Sequence, residues 1–185
     1  MKQVLQNLRS GKVEVADVPA PAVRPAHLLV RTAATLISPG TERMLVEFGQ
    51  SGLLGKARAQ PEKVRQLVTK IRTDGVKPAL EAVVSRLEEP LPLGYSNVGR
   101  VLEVGAGVTG FAPGQRVLTN GPHAGIVCVP ATLTAAIPDE VDDASAAFGV
   151  LGAIALNGVR LLEPTLGESF AVVGLGVLGL LGVQL

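Results

Sequence analysis

Ser169-Phe170-Ala171-Val172-Val173 runs directly into Gly174-Leu175-Gly176-Val177-Leu178-Gly179. A short apolar run with paired valines predicts a buried strand. The glycines that follow have the spacing G-x-G-x-x-G, and an apolar helical start comes next. Strand, glycine turn and helix in this order fit a turn that cradles a dinucleotide. Gly174 permits the tight turn, Gly176 lets the backbone approach a pyrophosphate, and Gly179 lets helix and strand pack closely. The free amides at the helix start would bind the anion. A buried strand-turn-helix with packing glycines and no ligand has the same spacing, and a chain with 22 glycines offers many chances for it. The flanking strand and helix favour the nucleotide reading. Gly174, Gly176, Val177, Leu178 and Gly179 are therefore the candidate cofactor contacts. The ribose selector would stand ~20 residues further on, beyond Leu185, so NAD and NADP are not distinguished.

Upstream of this turn, two β regions enclose a segment of different character. Val13, Val15 and Val18 lie in a polar-apolar alternation that breaks at Pro19-Ala20-Pro21, and His27 to Ile37 is rich in β-branched and aliphatic residues. Both read as strands. Ser38-Pro39-Gly40-Thr41 reads as a tight turn. Residues 42 to 90 read as helical. Pro61-Glu62 opens a helix that buries Val64, Leu67, Val68 and Ile71, with Lys63, Lys70, Arg65 and Arg72 at the borders of that stripe. Asp74-Gly75 stops it. Pro78 starts a second helix with Leu80, Val83, Val84 and Leu87 on one face. Strands return at Val98 to Val104 and Gly125 to Val129. Asp142 to Leu162 reads as one helix with an acidic first turn.

Composition narrows the function classes. The 185 residues are 47% hydrophobic and 18% charged, ample for a packed core and against general disorder. Seventeen basic and 16 acidic residues leave a net charge of +1, which argues against nucleic acid as a partner. Aromatics are 3% of the chain, too few for base-stacking platforms. A single cysteine, Cys128, excludes an internal disulfide and a Cys-rich zinc site. The N-terminus lacks a signal-peptide apolar core, so a cytoplasmic setting is expected. The uncharged apolar run Ser169 to Leu185, at 17 residues, is marginal for a membrane span of ~20 residues.

Four stretches, in order, resemble the medium-chain dehydrogenase/reductase superfamily of the zinc alcohol dehydrogenase type. Pro39-Gly40-Thr41-Glu42 is similar to its Cys-Gly-Thr-Asp turn. Gly94-Tyr95-Ser96-Asn97-Val98-Gly99-Arg100-Val101 is similar to its Gly-His-Glu segment. Val104 to Val117 resembles the stretch that follows, and Gly174 to Leu185 the cofactor loop. The helical segment and the Thr41-Glu42-Arg43 turn are most similar to the N-terminal half of bi-domain oxidoreductases. Those join this module to a glucose-fructose-oxidoreductase-like domain and often accompany polysaccharide synthesis. The resemblance implies a mainly β GroES-like barrel over residues 1–160 with a helical insertion at 42–90. It further implies the first strand, glycine loop and partial helix of an α/β Rossmann domain over 161–185, and a C-terminal continuation of the same enzyme.

The departures bear on chemistry. In zinc-dependent relatives the turn Cys and the Gly-His-Glu His bind the metal. Pro39 and Tyr95 stand at those positions, Ser96 replaces the Glu, and Phe148-Gly149-Val150-Leu151 offers no third ligand. His27, His123 and Cys128 have no metal-site spacing and read as two ordinary histidines and a buried thiol. No zinc is expected. Tyr95 and Thr41 are then the candidate catalytic residues, by position in the resemblance. The Tyr95 phenol could donate to a developing oxyanion, and Thr41 could relay a proton or hydrogen-bond the cofactor ribose. A second reading of Tyr95, as a filler where His is no longer required, stays open beside the first.

The expected function is a zinc-independent, NAD- or NADP-linked oxidoreductase acting on a small-molecule alcohol or carbonyl, with a sugar or glycan precursor as the implied substrate. The alternative is an inactive structural or partner-binding module from the same superfamily. The 185-residue chain alone is expected to be inactive, to bind NAD(H) or NADP(H) negligibly, and to self-associate as a homo-oligomer or leave its apolar tail 170–185 mobile.

Overall fold

The computed structural model describes residues 1–52 and 87–185, together with 55, 58, 61, 62, 64, 65, 69, 76, 78 and 85. The chain divides into two compact units. One comprises Met1, Val18–Ile37 and Gly94–Leu185; the other comprises Lys2–Asp17 and Ser38–Leu93.

The unit of Lys2–Asp17 and Ser38–Leu93 is built on a three-stranded antiparallel sheet. Its strands are β1 (Lys2–Asn7), β2 (Val13–Asp17) and β4 (Pro90–Pro92), in the order β2-β1-β4. Helix α1 (Pro39–Gln50) lies against β1. The expected turn at Ser38-Pro39-Gly40-Thr41 is the start of this helix. Pro39 occupies a first-turn position, where its fixed φ suits the helix and its missing N–H costs nothing. The Glu42 carboxylate accepts the Ser38 N–H at 2.8 Å, satisfying a backbone donor at the helix mouth. Gln6, fully buried, donates from Nε2 to the Val46 carbonyl at 3.1 Å. A Cβ at Gly49 would fall 2.1 Å from that amide, so a larger residue there would have to displace the Gln6 side chain.

The described residues of the two expected helices are helical at 61, 62, 64, 65, 69, 78, 85, 87 and 88. Leu67, Val68, Ile71, Leu80, Val83 and Val84 lie outside the described residues. Leu87 is half-buried as expected. Val64 is 38% exposed, not inward. Helical spacing says which face would be buried, not how fully another surface covers it.

The other unit carries a five-stranded antiparallel sheet in the order β7-β3-β5-β6-β8. Its strands are β3 (His27–Thr35), β5 (Asn97–Val104), β6 (Arg116–Thr119), β7 (Ile126–Pro130) and β8 (Thr134–Ala136). Leu28, Val30, Val101, Val117, Val127 and Val129 form the core on one face. They alternate with outward residues, as the pleat requires. The other face buries Val98 against Ala146 and Ala147.

Three expectations are corrected here. First, the β structure is two open sheets, not a closed barrel. Closure needs ladder hydrogen bonds between the outermost strands, and among the described residues β7 and β8 are edges. Second, Asp142 to Leu162 is two helices, α2 (Asp143–Ala146) and α3 (Gly149–Leu161). Ser96 Oγ donates to the Ala147 carbonyl at 2.6 Å at the break, competing for an acceptor that a continuous helix would use itself. Third, Ser169 to Val173 is not a strand. Strands are made by ladder partners, and no described strand pairs with this run. The helical start after the glycines does form, as α4 (Val177–Gln184), which packs with α3.

Arg116 joins β6 to the helical side. Its guanidinium donates to Asp143 at 2.7 Å and to the Val141 carbonyl at 2.6 Å. Asp142 caps α2; the Ser145 N–H and hydroxyl donate to its carboxylate and hold it below the usual carboxylate range.

Leu28 is wholly buried in the sheet core. Leu28→Ala is expected to lower unfolding free energy by about 2–5 kcal/mol. Val15→Ala, at a position 64% exposed, should change it by less than about 0.5 kcal/mol. Urea unfolding followed by circular dichroism measures both.

Candidate functional site

Tyr95 sits in the link that leads into β5, and its neighbours fix that link from several sides. Gly94 has φ +92°, the left-handed region that favours glycine. A Cβ there would meet the His123 ring at 2.7 Å, so the imidazole packs directly on the Gly94 backbone. Ser96 is buried and bonded to Ala147. Asn97, also buried, donates from Nδ2 to Thr32 Oγ1 at 2.9 Å and to the Pro122 carbonyl at 3.2 Å. Thr32 Oγ1 in turn donates to the Ala124 carbonyl at 2.5 Å. Thr119 Oγ1 donates to the Asn97 carbonyl at 3.3 Å and accepts the Gly121 N–H at 3.1 Å. The loop 120–125, which carries His123, is thus held on both sides of the histidine by polar side chains of β3, β5 and β6.

Tyr95 itself is half-buried. Its phenol is a proton donor. Sequence reading passed over His123, which it took as an ordinary histidine. The missed signal was Gly94, a residue whose lack of a side chain leaves room for a ring 29 positions away.

Thr41 belongs to the other unit, in the exposed first turn of α1. It is therefore on a helix, where the sequence suggested a turn. Pro39 precedes it in the same turn.

The five cofactor candidates form one local structure. Gly174 has φ +93°, and Gly176 is the extended residue that caps α4. Val177 and Leu178 are the first helical residues, and Leu180 N–H bonds the Gly176 carbonyl at 2.9 Å. A Cβ on Gly179 would fall 1.9 Å from the Gly174 carbonyl oxygen, so the helix presses on the turn where the third glycine stands. A Cβ on Gly176 would meet nothing within 4 Å. The helix start is open on that side, with unpaired amides characteristic of such ends. These features fit a pyrophosphate-binding turn.

No group of three His, Cys, Asp or Glu side chains gathers among the described residues. His27 Nδ1 bonds its local Pro25 carbonyl at 2.7 Å, and Cys128 lies in β7 opposite Leu29. At the start of α3, Phe148 and Leu151 present hydrocarbon only. No described helix is long and apolar enough to cross a membrane.

The chain was compared with known proteins. Residues 65–156 match the family described as the alcohol dehydrogenase GroES-like domain. Acryloyl-coenzyme A reductase of Metallosphaera sedula is 50% identical over 40 residues, which are 22% of this chain and 12% of that protein. Galactitol-1-phosphate dehydrogenase from Escherichia coli superposes with a TM-score of 0.70 at 17% identity, over 100% of this chain and 51% of that one. Escherichia coli quinone oxidoreductase, solved in complex with NADPH, superposes with a TM-score of 0.59 at 13% identity, over 86% of this chain and 40% of that one. The chain thus spans about half the length of these solved structures or less, and a small part of the reductase. At these identities the structural likeness concerns the fold. Together with the domain match, it gives residues 65–156 the sequence of an alcohol dehydrogenase GroES-like domain and gives the chain the fold of these dehydrogenases and reductases.

Proposed function

We propose that this chain serves a nicotinamide-dependent oxidoreductase that interconverts an alcohol and a carbonyl compound without zinc at its reaction centre. The observation that carries the reading is the Gly174–Gly179 turn. It combines a left-handed first glycine, an open second glycine at the helix cap and a third glycine pressed on the first. Gly174, Gly176, Val177, Leu178 and Gly179 would hold the pyrophosphate through backbone amides. A bound nicotinamide would accept or return the hydride. The NADPH complex of the Escherichia coli quinone oxidoreductase supports that choice of cofactor class. The domain boundaries of this reading are a GroES-like part over 1–160 and the beginning of a nucleotide-binding part over 161–185.

Tyr95 would act on the substrate oxygen. In carbonyl reduction its phenol donates to the oxygen as negative charge develops there; in alcohol oxidation the hydroxyl proton leaves along the same hydrogen bond. Thr41 would relay that proton or hold the cofactor ribose. Pro39, Tyr95 and the hydrocarbon of Phe148 and Leu151 at the family's ligand positions support chemistry without zinc. The narrower likeness of the Thr41-Glu42-Arg43 turn supports a sugar or glycan precursor as substrate, in a cytoplasmic setting.

Gly176→Val tests the cofactor turn. Gly176 has φ −75° and ψ −172°, which valine adopts, and open space around its Cβ position. Made in the enzyme with its proposed C-terminal continuation, the variant should keep the parent melting temperature and lose at least about tenfold in NADH or NADPH affinity by fluorescence titration. Equal affinity in the two proteins would overturn the assignment.

Elemental analysis should find zinc far below one atom per chain. A tightly held stoichiometric zinc would contradict the ligand argument.

Tyr95→Phe keeps the ring and removes the donor. With short alcohols and enones as substrates, kcat should drop about 10²-fold or more with little change in KM for the cofactor. An unchanged kcat would favour the filler role.

A further inference from the structure

The outer face of the five-stranded sheet carries three arginines in one row. Arg31 of β3 stands opposite Arg100 of β5, and Arg100 stands opposite Arg116 of β6. Opposed residues in an antiparallel ladder point to the same face with Cα atoms about 4.5–5.5 Å apart. Inward neighbours along the same strands, Val30 and Val101, are buried, so the arginines rise from the opposite side. Arg116 is ion-paired with Asp143 and donates to the Val141 carbonyl. Arg31 and Arg100 are exposed, and neither forms an ion pair among the described residues. Arg100 spends one donor on the Gly114 carbonyl at 3.2 Å. Glu103, opposite Leu29 on this face, forms no ion pair with either arginine.

Like charges directly opposed on a sheet destabilise it. Two arginines at opposed positions on one exposed face also supply, between them, the fork-shaped donors that bind an oxyanion through parallel N–H···O bonds. We propose that Arg31 and Arg100 form an oxyanion site that takes a phosphate or carboxylate group of a ligand. The site is separate from the glycine turn and from Tyr95, and it stands whether or not the redox reading holds. Toward Val98 this face is covered by Ala146 and Ala147, while at Arg31 and Arg100 it is exposed, so the site bears on an anion presented from outside.

The test is a titration of the ¹⁵N-labelled chain at low ionic strength with inorganic phosphate, citrate and anionic phospholipid vesicles in separate arms. Phosphate or citrate should saturate, with shifts concentrated at the Arg31 and Arg100 Nε–H groups and at β3 and β5. The tighter of the two names the group the site prefers. Arg31→Gln and Arg100→Gln should each weaken binding about tenfold or more. Arg31→Glu provides a variant that folds at least as well, because it turns a repulsive pair into an attractive one. Its melting temperature should lie above the parent's in phosphate-free buffer, and phosphate should raise the parent's melting temperature but not the variant's. Linear, unsaturable shifts, or equal binding by the Arg31→Gln/Arg100→Gln double variant, would overturn the site. So would binding to vesicles without saturation by either small anion.

Discussion

The buried amide of Asn97 is the joint on which the Tyr95 region depends. Its Nδ2 reaches Thr32 of β3 and the Pro122 carbonyl, while its own carbonyl takes Thr119 of β6. Three strands and one loop thus share a single fully buried residue. In a low-dielectric interior such bonds are stronger than at the surface, and losing one strands its partner at a cost. That asymmetry explains why a polar residue stands where the sheet would otherwise take a valine. It fixes the register of β5 against β6 and sets the loop 120–125 over Gly94.

This joint bears on the role proposed for Tyr95. Tyr95 lies two residues before Asn97 and one after Gly94, whose backbone is covered by the His123 ring. A reacting group performs best when its neighbours hold it without rearrangement. Ser96, bonded to Ala147, holds the intervening residue from the helical side. The same bond interrupts the helix that local sequence preference would run from 142 to 162. Local propensity is weaker than a buried side-chain bond here, and the break follows.

Charge tells a parallel story on the outer face. Arg116 resolves its charge within the fold, through Asp143. Arg31 and Arg100 do not, although the chain carries nearly equal numbers of acids and bases. Composition hides this, because a balanced total says nothing about which residues meet across a ladder.

By itself, the sequence determined the order of most β and helical regions and the glycine turn with its helix. These signals are local: alternation at β2 and β3, the G-x-G-x-x-G spacing at Gly174, Gly176 and Gly179, and contiguous motifs around Pro39 and Tyr95. Backbone sterics and short-range periodicity suffice to write them. Tertiary structure alone decided the rest. Pro39 to Thr41 became a helix because α1 could dock Gly49 on Gln6, a contact across more than 40 residues. The sheet stayed open, and Ser169–Val173 stayed out of it, because strands exist only where partners supply the ladder. The His123–Gly94 contact and the Arg31–Arg100–Arg116 row arise from register, and register is a property of paired strands that no single strand's sequence contains.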